Sequence, residues 1–265
     1  MVKYPENIHE ADENDVDISS FKLKPELNDK FWNGDRLDIM ARRKMLTIAR
    51  DFITKFKIAD FSIIDVVMTG SLANYNWNEK YSDIDLHIVV DFEEINDDTE
   101  LVSEFFDAVK TNWNNKHKNI NIYGYPVEIY VQDKNEKHVS SGVYSVLYDE
   151  WITKPSLGNM EKSMSIVGDS DIKAITSSIM TDIEETEERL ETAIENNDID
   201  EIEDVGEDAH DIYDRIKELR KSGLGMTGSE LSQGNLIFKT LRRNGYIEKL
   251  RDIKRSVYDY IHSLK

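Results

Sequence analysis

Two short apolar runs rich in β-branched residues constrain the fold of the N-terminal half more than any other feature. They are FSIIDVVM at residues 61–68 and IDLHIVV at residues 84–90. Runs of this length and composition predict β-strands. Asp83 and Asp85 lie where the second run begins. Because side chains alternate between the two faces of a strand, both aspartates are predicted to point to the same side.

These two aspartates predict a cation site. Neighbouring carboxylates repel each other, and each tends to take up a proton unless a cation lies between them. Mg²⁺ prefers hard oxygen ligands and is commonly held by one or two carboxylates together with substrate phosphates. The alternative is a pair of solvated strand residues, which is the usual explanation of an Asp-x-Asp found alone.

Gly70 and Ser71 form a turn directly after the first predicted strand. Glycine lets the backbone adopt conformations closed to other residues and pass close to a phosphate, and Ser71 offers a hydroxyl and a backbone donor. We expect residues 71–77 to begin a helix whose free N–H groups face the anion. An ordinary turn would explain Gly-Ser alone, but Gly-Ser combined with Asp-x-Asp is a much rarer pattern.

The combined motif resembles the nucleotidyltransferase superfamily of DNA polymerase beta, whose signature is a Gly-Ser followed by a hydrophobic-flanked Asp-x-Asp. Residues 72–82 separate the two parts here. The resemblance implies a third carboxylate on a later strand, and Glu128 in YPVEIYVQD is the best match. A solvent-facing strand residue is the alternative for Glu128. Many relatives carry a second glycine where this chain has Asn74 and Tyr75, and we expect the asparagine to tolerate left-handed geometry.

The activity implied by this resemblance is transfer of a nucleoside monophosphate from ATP or another nucleoside triphosphate to a hydroxyl acceptor, with release of pyrophosphate. Two Mg²⁺ or Mn²⁺ ions are implied as cofactors. One, held by Asp83, Asp85 and Glu128, would lower the pKa of the acceptor hydroxyl, and the other, held by the two aspartates, would bind the triphosphate. Glu128 is also expected to accept the proton of the acceptor. Gly70 and Ser71 would hold the terminal phosphates.

Two other functions stay open at this point. One is a non-catalytic nucleotide-binding regulatory protein or antitoxin-like partner, and the other is a structural interaction module built on the C-terminal helices. The presence of all three carboxylates favours an enzyme. The acceptor could be a small molecule, a protein side chain or a short RNA end, because one fold serves many acceptors.

Charge is unevenly distributed along the chain, whose formal net charge is −20. Residues 182–208 contain fourteen acidic side chains against the single Arg189, whereas residues 235–265 carry a local charge of +5. The overall charge predicts no tight binding of long duplex nucleic acid. By resemblance to relatives whose helical domain contributes a basic residue, one of three cations is expected to reach the triphosphate across a cleft: Lys239, Arg242 or Arg243. An ion-pair seam with the acidic helices is the equal alternative.

The predicted fold is α+β, a small mixed β-sheet core with helices on one side, followed by a C-terminal helical bundle. Helical periodicity appears at residues 36–58 and 98–115, and residues 120–131 read as a hairpin. Near-heptad apolar spacing, broken at residues 196–198, predicts an antiparallel helix pair and then a third helical region. We expect four segments: an acidic arm at 1–33, a catalytic core at 34–135, a connector at 136–168 and a helical domain at 169–265.

Cysteine content and the lack of long apolar runs bear on where the protein is located. The chain has no cysteine, so disulfides and thiolate metal sites are excluded. No secretory leader or membrane-length apolar run occurs, which predicts a soluble cytoplasmic protein without a membrane partner.

His87 shares a strand face with the aspartates and is expected to support the site or to pack, and His138 is a weaker candidate. Tyr144 and Trp151 could line a base pocket, but core packing is favoured.

Overall fold

A computed structural model of the protein describes Val16 and residues 18–55, 62–223 and 229–263. These residues fall into two compact units. The first, Phe21–Glu161, contains all the described strands and is called the sheet unit. The second, Lys162–Lys265 with the described residues before Phe21, is called the helical unit. The predicted α+β class, with a mixed sheet followed by a helical region, is confirmed.

A six-stranded mixed sheet forms the centre of the sheet unit, and a separate two-stranded ribbon accompanies it. The ribbon is β1 (Trp32–Asn33) and β2 (Arg36–Leu37), and the sheet strands are β3 (Asp65–Thr69), β4 (Ile84–Val90), β5 (Asn121–Ile122), β6 (Tyr125–Asp133), β7 (Val143–Ser145) and β8 (Glu150–Thr153). Across the sheet the order is β5-β6-β4-β3-β7-β8. Only β4 and β6 pair in parallel among these strands, and β5 and β6 form the predicted hairpin.

Helices cover one face of this sheet. They are α1 (Ile39–Thr54), the single turn α2 (Phe92–Ile95) and α3 (Thr99–Lys116). Helix α1 begins three residues later than predicted because the Asp38 carboxylate caps it, accepting hydrogen bonds from Met40 N at 3.0 Å and Ala41 N at 2.9 Å. The end predicted at residue 58 lies outside the described residues. Phe52 of α1 and Phe106 of α3 pack with the apolar strand residues in one core.

The sheet unit extends beyond the predicted core of residues 34–135 at both ends. On the N-terminal side, Phe31 and Trp32 are buried in the main core. On the C-terminal side, β7 pairs with β3 and buries Tyr144 completely, so much of the predicted connector belongs to the sheet. Strand β8 ends at Thr153, shortly before Pro155, as the loss of a backbone donor at proline predicts.

The helical unit contains a longer bundle than predicted. Helix α4 (Leu157–Ile166) includes the unit boundary, and the helices after it are α5 (Asp169–Asn196), α6 (Ile199–Gly223), α7 (Gln233–Arg243) and α8 (Tyr246–Ile261). The break between α5 and α6 falls where it was predicted, at left-handed Asn197. The last region is two helices rather than one because Gly245, with φ of +83°, ends α7 and starts α8. The predicted arm at residues 1–33 lies in part outside the described residues.

None of the described helices combines sufficient length with sufficient apolarity to span a bilayer.

Candidate active site

Strand pairing brings the three predicted carboxylates together. Asp85 lies beside Thr69 of β3 on one side and beside Glu128 of β6 on the other. Asp83 immediately precedes β4. Carboxylate oxygens of Asp83, Asp85 and Glu128 all lie within 4.8 Å of one another, and the three residues are partly buried. The repulsion that the sequence predicted for two aspartates therefore involves three acidic groups on one sheet face.

The opposite face of the same strands is apolar and belongs to the core. Ile84, Leu86 and Ile129 alternate with the acidic residues and are completely buried against the helix layer. This alternation follows from the two-residue period of a strand, which turns neighbouring side chains to opposite faces. The acidic face therefore stands on a backbone that the buried residues hold in place.

Position 70 requires glycine for two reasons: its backbone angles and its closeness to the Asp85 carboxylate. Its φ of +76° lies in the region that favours glycine. A Cβ atom added at Gly70 would lie only 1.8 Å from Asp85 Oδ2. The glycine thus allows the turn after β3 to pass directly over the Asp85 carboxylate, a close approach within the protein that the sequence did not reveal.

Ser71 lies in a single 3-10 turn, Ser71–Ala73, so the predicted helix at residues 71–77 is wrong. The turn ends because Asn74 is extended, with φ of −150°, and its N–H donates to Ser71 O at 3.1 Å. Left-handed geometry is therefore not needed at Asn74, whose Nδ2 donates to Ser141 Oγ at 3.0 Å. Ser71 Oγ and Ser82 Oγ share a hydrogen bond of 2.7 Å, which ties the Gly-Ser turn to the loop before Asp83.

Tyr130 contacts the third carboxylate directly. Its hydroxyl donates to Glu128 Oε2 at 2.8 Å. Burial, followed by the negative charges of Asp85 and Glu128, raises the pKa of the phenol, so Tyr130 stays protonated and remains a donor. Its ring stacks on His87 at 5.0 Å, and Lys110 Nζ lies 5.0 Å from the ring centroid on a neighbouring helix. Tyr130 therefore restricts the orientation of Glu128.

His87 is a partly buried neutral group that supports the same face. Its Nδ1 lies 2.9 Å from Gln132 Oε1 and its Nε2 lies 3.1 Å from Thr69 Oγ1. Gln132 Nε2 donates to Glu136 O at 3.0 Å, which fixes the amide orientation and makes Nδ1 the donor atom of the imidazole. Burial and the nearby His138 lower the pKa of His87 to about 4. His87 thus acts as a structural support, one of the two roles expected for it.

A second polar cluster, which the sequence did not predict, lies between β3 and β7. Buried Asp65 accepts hydrogen bonds from Ser145 Oγ at 2.8 Å and from Val66 N at 2.7 Å. Burial raises the pKa of the Asp65 carboxyl above its usual value. His138 interacts electrostatically with Asp65, and burial lowers the pKa of His138. The cluster joins β3 to β7.

The two candidate base-binding aromatics fill space in the core. Tyr144 is completely buried, and its hydroxyl donates to Asp149 Oδ1 at 2.8 Å. Trp151 stacks on Trp32 with ring centroids 4.5 Å apart, and its indole N–H donates to Asp35 O at 3.0 Å. Both rings are thus used by contacts within the sheet unit, in agreement with the favoured packing interpretation.

The three basic candidates lie on α7 in the helical unit. Arg242 is exposed and Lys239 is half-buried. Arg243 is half-buried, and its Nη1 donates to Ser20 Oγ at 2.5 Å within the same unit. Their contact with a triphosphate stays a prediction.

Helix α8 forms part of the alternative ion-pair seam. Lys249 Nζ lies 2.6 Å from Glu187 Oε2 of α5, and the hydroxyl of Tyr246 donates to Glu184 on the same helix. One basic residue of the terminal segment, Lys249, therefore pairs with an acidic helix, and it lies on α8 rather than among the three candidates on α7.

Several residues that support the acidic site were not predicted from the sequence, because their roles depend on contacts that a motif does not encode. Ser82 closes the Gly-Ser turn and Thr69 contacts His87. Tyr130 could have been found, since it lies two residues from Glu128 on the same strand face.

Comparison with known proteins agrees with this geometry. Residues 47–150 match the family model described as nucleotidyltransferase domain. The matched segment includes Gly70, Ser71 and the three carboxylates, and it covers less than half of the chain. The resemblance to the polymerase beta type of nucleotidyltransferase is confirmed at this level. Neither a curated protein nor a solved structure matches the chain.

Proposed function

Starting from a nucleotidyltransferase domain at residues 47–150, we propose that this protein transfers a nucleoside monophosphate from a nucleoside triphosphate to a hydroxyl acceptor. The observation that carries the proposal is the convergence of Asp83, Asp85 and Glu128 next to the Gly70 turn. A merely structural module would have no reason to hold three carboxylates together on an open sheet face, where their charges repel.

A divalent cation fits these three residues. Each offers a carboxylate oxygen, and the three oxygens lie within 4.8 Å of one another. Hard oxygen donors suit Mg²⁺ and Mn²⁺ rather than softer metals. Asp83 and Asp85 would hold both ions of a two-ion site, with Glu128 completing the acceptor side. Such ions, when bound, supply charge stabilisation for the triphosphate and activate the hydroxyl nucleophile.

The protein's own groups would orient the reactants and move one proton. The acceptor hydroxyl oxygen attacks the α-phosphorus, a new phosphorus–oxygen bond forms, and the bond to the bridging oxygen of the β-phosphate breaks. Pyrophosphate leaves, and the acceptor proton passes to Glu128. The Tyr130 hydroxyl, which binds Glu128 Oε2, would keep this carboxylate in one orientation during the transfer. Gly70 and Ser71 would lie along the terminal phosphates.

The reaction can be tested without knowing the acceptor. Purified full-length protein is incubated with each labelled triphosphate and with Mg²⁺ or Mn²⁺ against pools of RNA, protein and small molecules. Pyrophosphate release and label transfer are measured. We expect both with wild type. Loss of both in every combination, with intact nucleotide binding, would instead support a non-catalytic binding protein.

Replacing an acidic residue of the site tests the metal assignment most directly. Asp83→Asn or Asp85→Asn should reduce transfer by at least about a thousandfold, because several kcal/mol of charge stabilisation are lost. Mn²⁺ titration by calorimetry should lose its binding signal in the same variants. The melting temperature should stay unchanged or rise, since repulsion is relieved. Asp29→Asn, the same change at an exposed position of the sheet unit, is the matched control. Near wild-type activity in either site variant would contradict the metal assignment.

A further inference from the structure

A short series of hydrogen bonds joins the loop before Asp83 to the Gly-Ser turn. Asn78 N donates to Ser82 Oγ at 2.8 Å. Ser82 Oγ in turn lies 2.7 Å from Ser71 Oγ, and the two hydroxyls share a hydrogen bond. The hydroxyl of Ser82 is therefore the link between the loop and Ser71.

The loop that holds Ser82 is fixed by its own hydrogen bonds. Asn78 Oδ1 accepts from Lys80 N at 2.9 Å and from Tyr81 N at 3.3 Å. In addition, Ser82 N donates to Asn78 O at 3.1 Å. An asparagine side chain that accepts from the backbone two residues later forms an Asx-turn, which orders a loop locally. The donor that meets Ser82 Oγ thus comes from an ordered backbone.

The direction of the hydrogen bond between the two serines follows from the partners of Ser82. A hydroxyl has one hydrogen to donate and two acceptor positions. Ser82 is only 6% exposed, and one of its acceptor positions is used by Asn78 N–H. Among the described residues, Ser71 Oγ is the only partner for the Ser82 hydrogen. If Ser71 donated instead, that hydrogen would be buried without an acceptor, at a substantial cost in free energy. Ser82 is therefore the donor.

Ser71 consequently keeps its own hydrogen for a ligand. It is partly buried, and its hydroxyl has Ser82 as its only hydrogen-bonding partner within the described part of the chain. A phosphate oxygen, which only accepts, suits a hydroxyl that is set to donate. Because hydrogen bonds in series polarise one another, the bond from Ser82 also makes Ser71 a stronger donor.

We infer that Ser82 is a positioning residue, which fixes the Ser71 hydroxyl as a hydrogen-bond donor to the β- or γ-phosphate of the triphosphate. This role rests on the proposed function, because it needs the triphosphate to lie along the Gly-Ser turn. Without Ser82, the Ser71 hydrogen has three staggered positions, of which one faces the phosphate. The expected loss of triphosphate affinity is therefore about threefold, and lost polarisation adds to it.

Triphosphate affinity measured without an acceptor tests this role. Full-length protein is titrated calorimetrically with ATP, GTP, CTP and UTP in the presence of Mn²⁺, and the tightest of the four is compared with its own monophosphate. Ser82→Ala should weaken triphosphate binding about threefold or more. Monophosphate binding, and Mn²⁺ binding to the nucleotide-free protein, should not change. Ser82→Thr keeps the hydroxyl and should restore the triphosphate affinity.

Ser141→Ala is the matched control. Its hydroxyl accepts from Asn74 Nδ2 at 3.0 Å, directly after the Gly-Ser turn, so the same substitution removes a structural hydrogen bond that does not lead to Ser71. We expect its triphosphate affinity to stay at the wild-type value.

A double-substitution cycle separates positioning from packing. Ser71→Ala should weaken triphosphate binding about tenfold or more, because a hydrogen bond to a charged group is lost. In the Ser71→Ala background, Ser82→Ala should have no further effect, since Ser82 acts through the hydroxyl that is already missing.

Several results would overturn the proposal. They are wild-type triphosphate affinity in Ser82→Ala, equal losses for triphosphate and monophosphate, a reduced Mn²⁺ affinity, an undiminished effect in the Ser71→Ala background, and no triphosphate binding by the wild-type protein. The expected binding pattern without any label transfer would refute the proposed transfer alone. Label transfer without that pattern would refute the role of Ser82 alone.

Discussion

The two faces of the central sheet are built from alternate residues of the same strands, yet they differ in nearly every property. One face carries Ile84, Leu86 and Ile129, completely buried under the helix layer. The other carries Asp85 and Glu128, partly buried and within 4.8 Å of each other. The comparison assigns stability to the core face and, under the proposed function, chemistry to the acidic face. Substitutions on the two faces should therefore affect different measurements.

The largest expected effect on activity comes from a substitution of Glu128 on the acidic face. Glu128→Gln keeps the shape and still accepts the Tyr130 hydrogen bond, but it removes a carboxylate that can accept a proton. We expect the rate of chemistry to fall about 100- to 10,000-fold while triphosphate affinity changes little. Single-turnover rates set beside calorimetric binding measure the two effects. Equal losses in rate and affinity would place Glu128 on the nucleotide side of the site.

The matched change on the core face is Leu86→Ala, one residue after Asp85. Leu86 is completely buried, so its truncation should lower the free energy of unfolding by roughly 2–5 kcal/mol. Turnover measured well below the melting temperature should stay close to wild type. Denaturant unfolding and turnover on one protein preparation provide the check. A large loss of turnover in a still-folded variant would show that the two faces are not separable.

A smaller effect is expected where a side chain supports the acidic residues without reacting. Tyr130→Phe removes the hydrogen bond to Glu128 Oε2 and keeps the ring that stacks on His87. Hydrogen bonds to charged groups contribute about 1.5–3 kcal/mol, and losing the lower end of this range in the transition state lowers kcat by about tenfold. KM for the triphosphate and the melting temperature should hardly change. An unchanged kcat would mean that the hydrogen bond from Tyr130 is not needed to orient Glu128.

The smallest effect concerns Asp65, a titratable group used for structure. Its pKa in the folded state is raised by burial, so the folded protein binds this proton more readily than the unfolded chain. The resulting stabilisation is present below the unfolded pKa and is lost as pH rises through the folded pKa. Asp65→Asn keeps an oxygen to accept from Ser145 and cannot ionise.

The Asp65→Asn variant should therefore melt slightly higher than wild type at neutral pH, and the difference should shrink as pH falls towards 4. Melting curves of both proteins across this range test the sign. A difference that grows on acidification would show that ionised Asp65 stabilises the fold, most simply through His138.

Local patterns in the sequence were sufficient for the central strands, the helix pair and the two aspartates, whereas Glu128 was identified through the family resemblance. Period-two alternation places Asp83 and Asp85 on one face, and the register of β6 adds Glu128 to it. The turn after Gly70 was mispredicted as a helix because helix propensity does not report that Leu72 and Ala73 must be buried. The break at Gly245 was missed because apolar spacing continues across it.

The features that the sequence did not predict depend on long-range contacts. The sequence predicted that Gly70 would approach a phosphate, but it could not show that a Cβ there would meet Asp85. Nor could it show which cations remain unpaired, since Arg42 pairs with Asp149 while neighbouring Arg43 has no ion pair to a described residue. Such distinctions depend on which side chains the fold brings within a few ångströms of each other.

The parallel pairing of β4 with β6 also has a consequence for folding. Asp85 and Glu128 are far apart in the chain, so the acidic site cannot form before this non-local pairing does, and such pairings are slow to form. A slip of one residue in β6 would turn Ile129 towards the aspartates and Glu128 into the core. Burial of Ile129 and the cost of burying the Glu128 carboxylate thus disfavour the same register error, and a chain that reaches its stable register has assembled its acidic site in the same step.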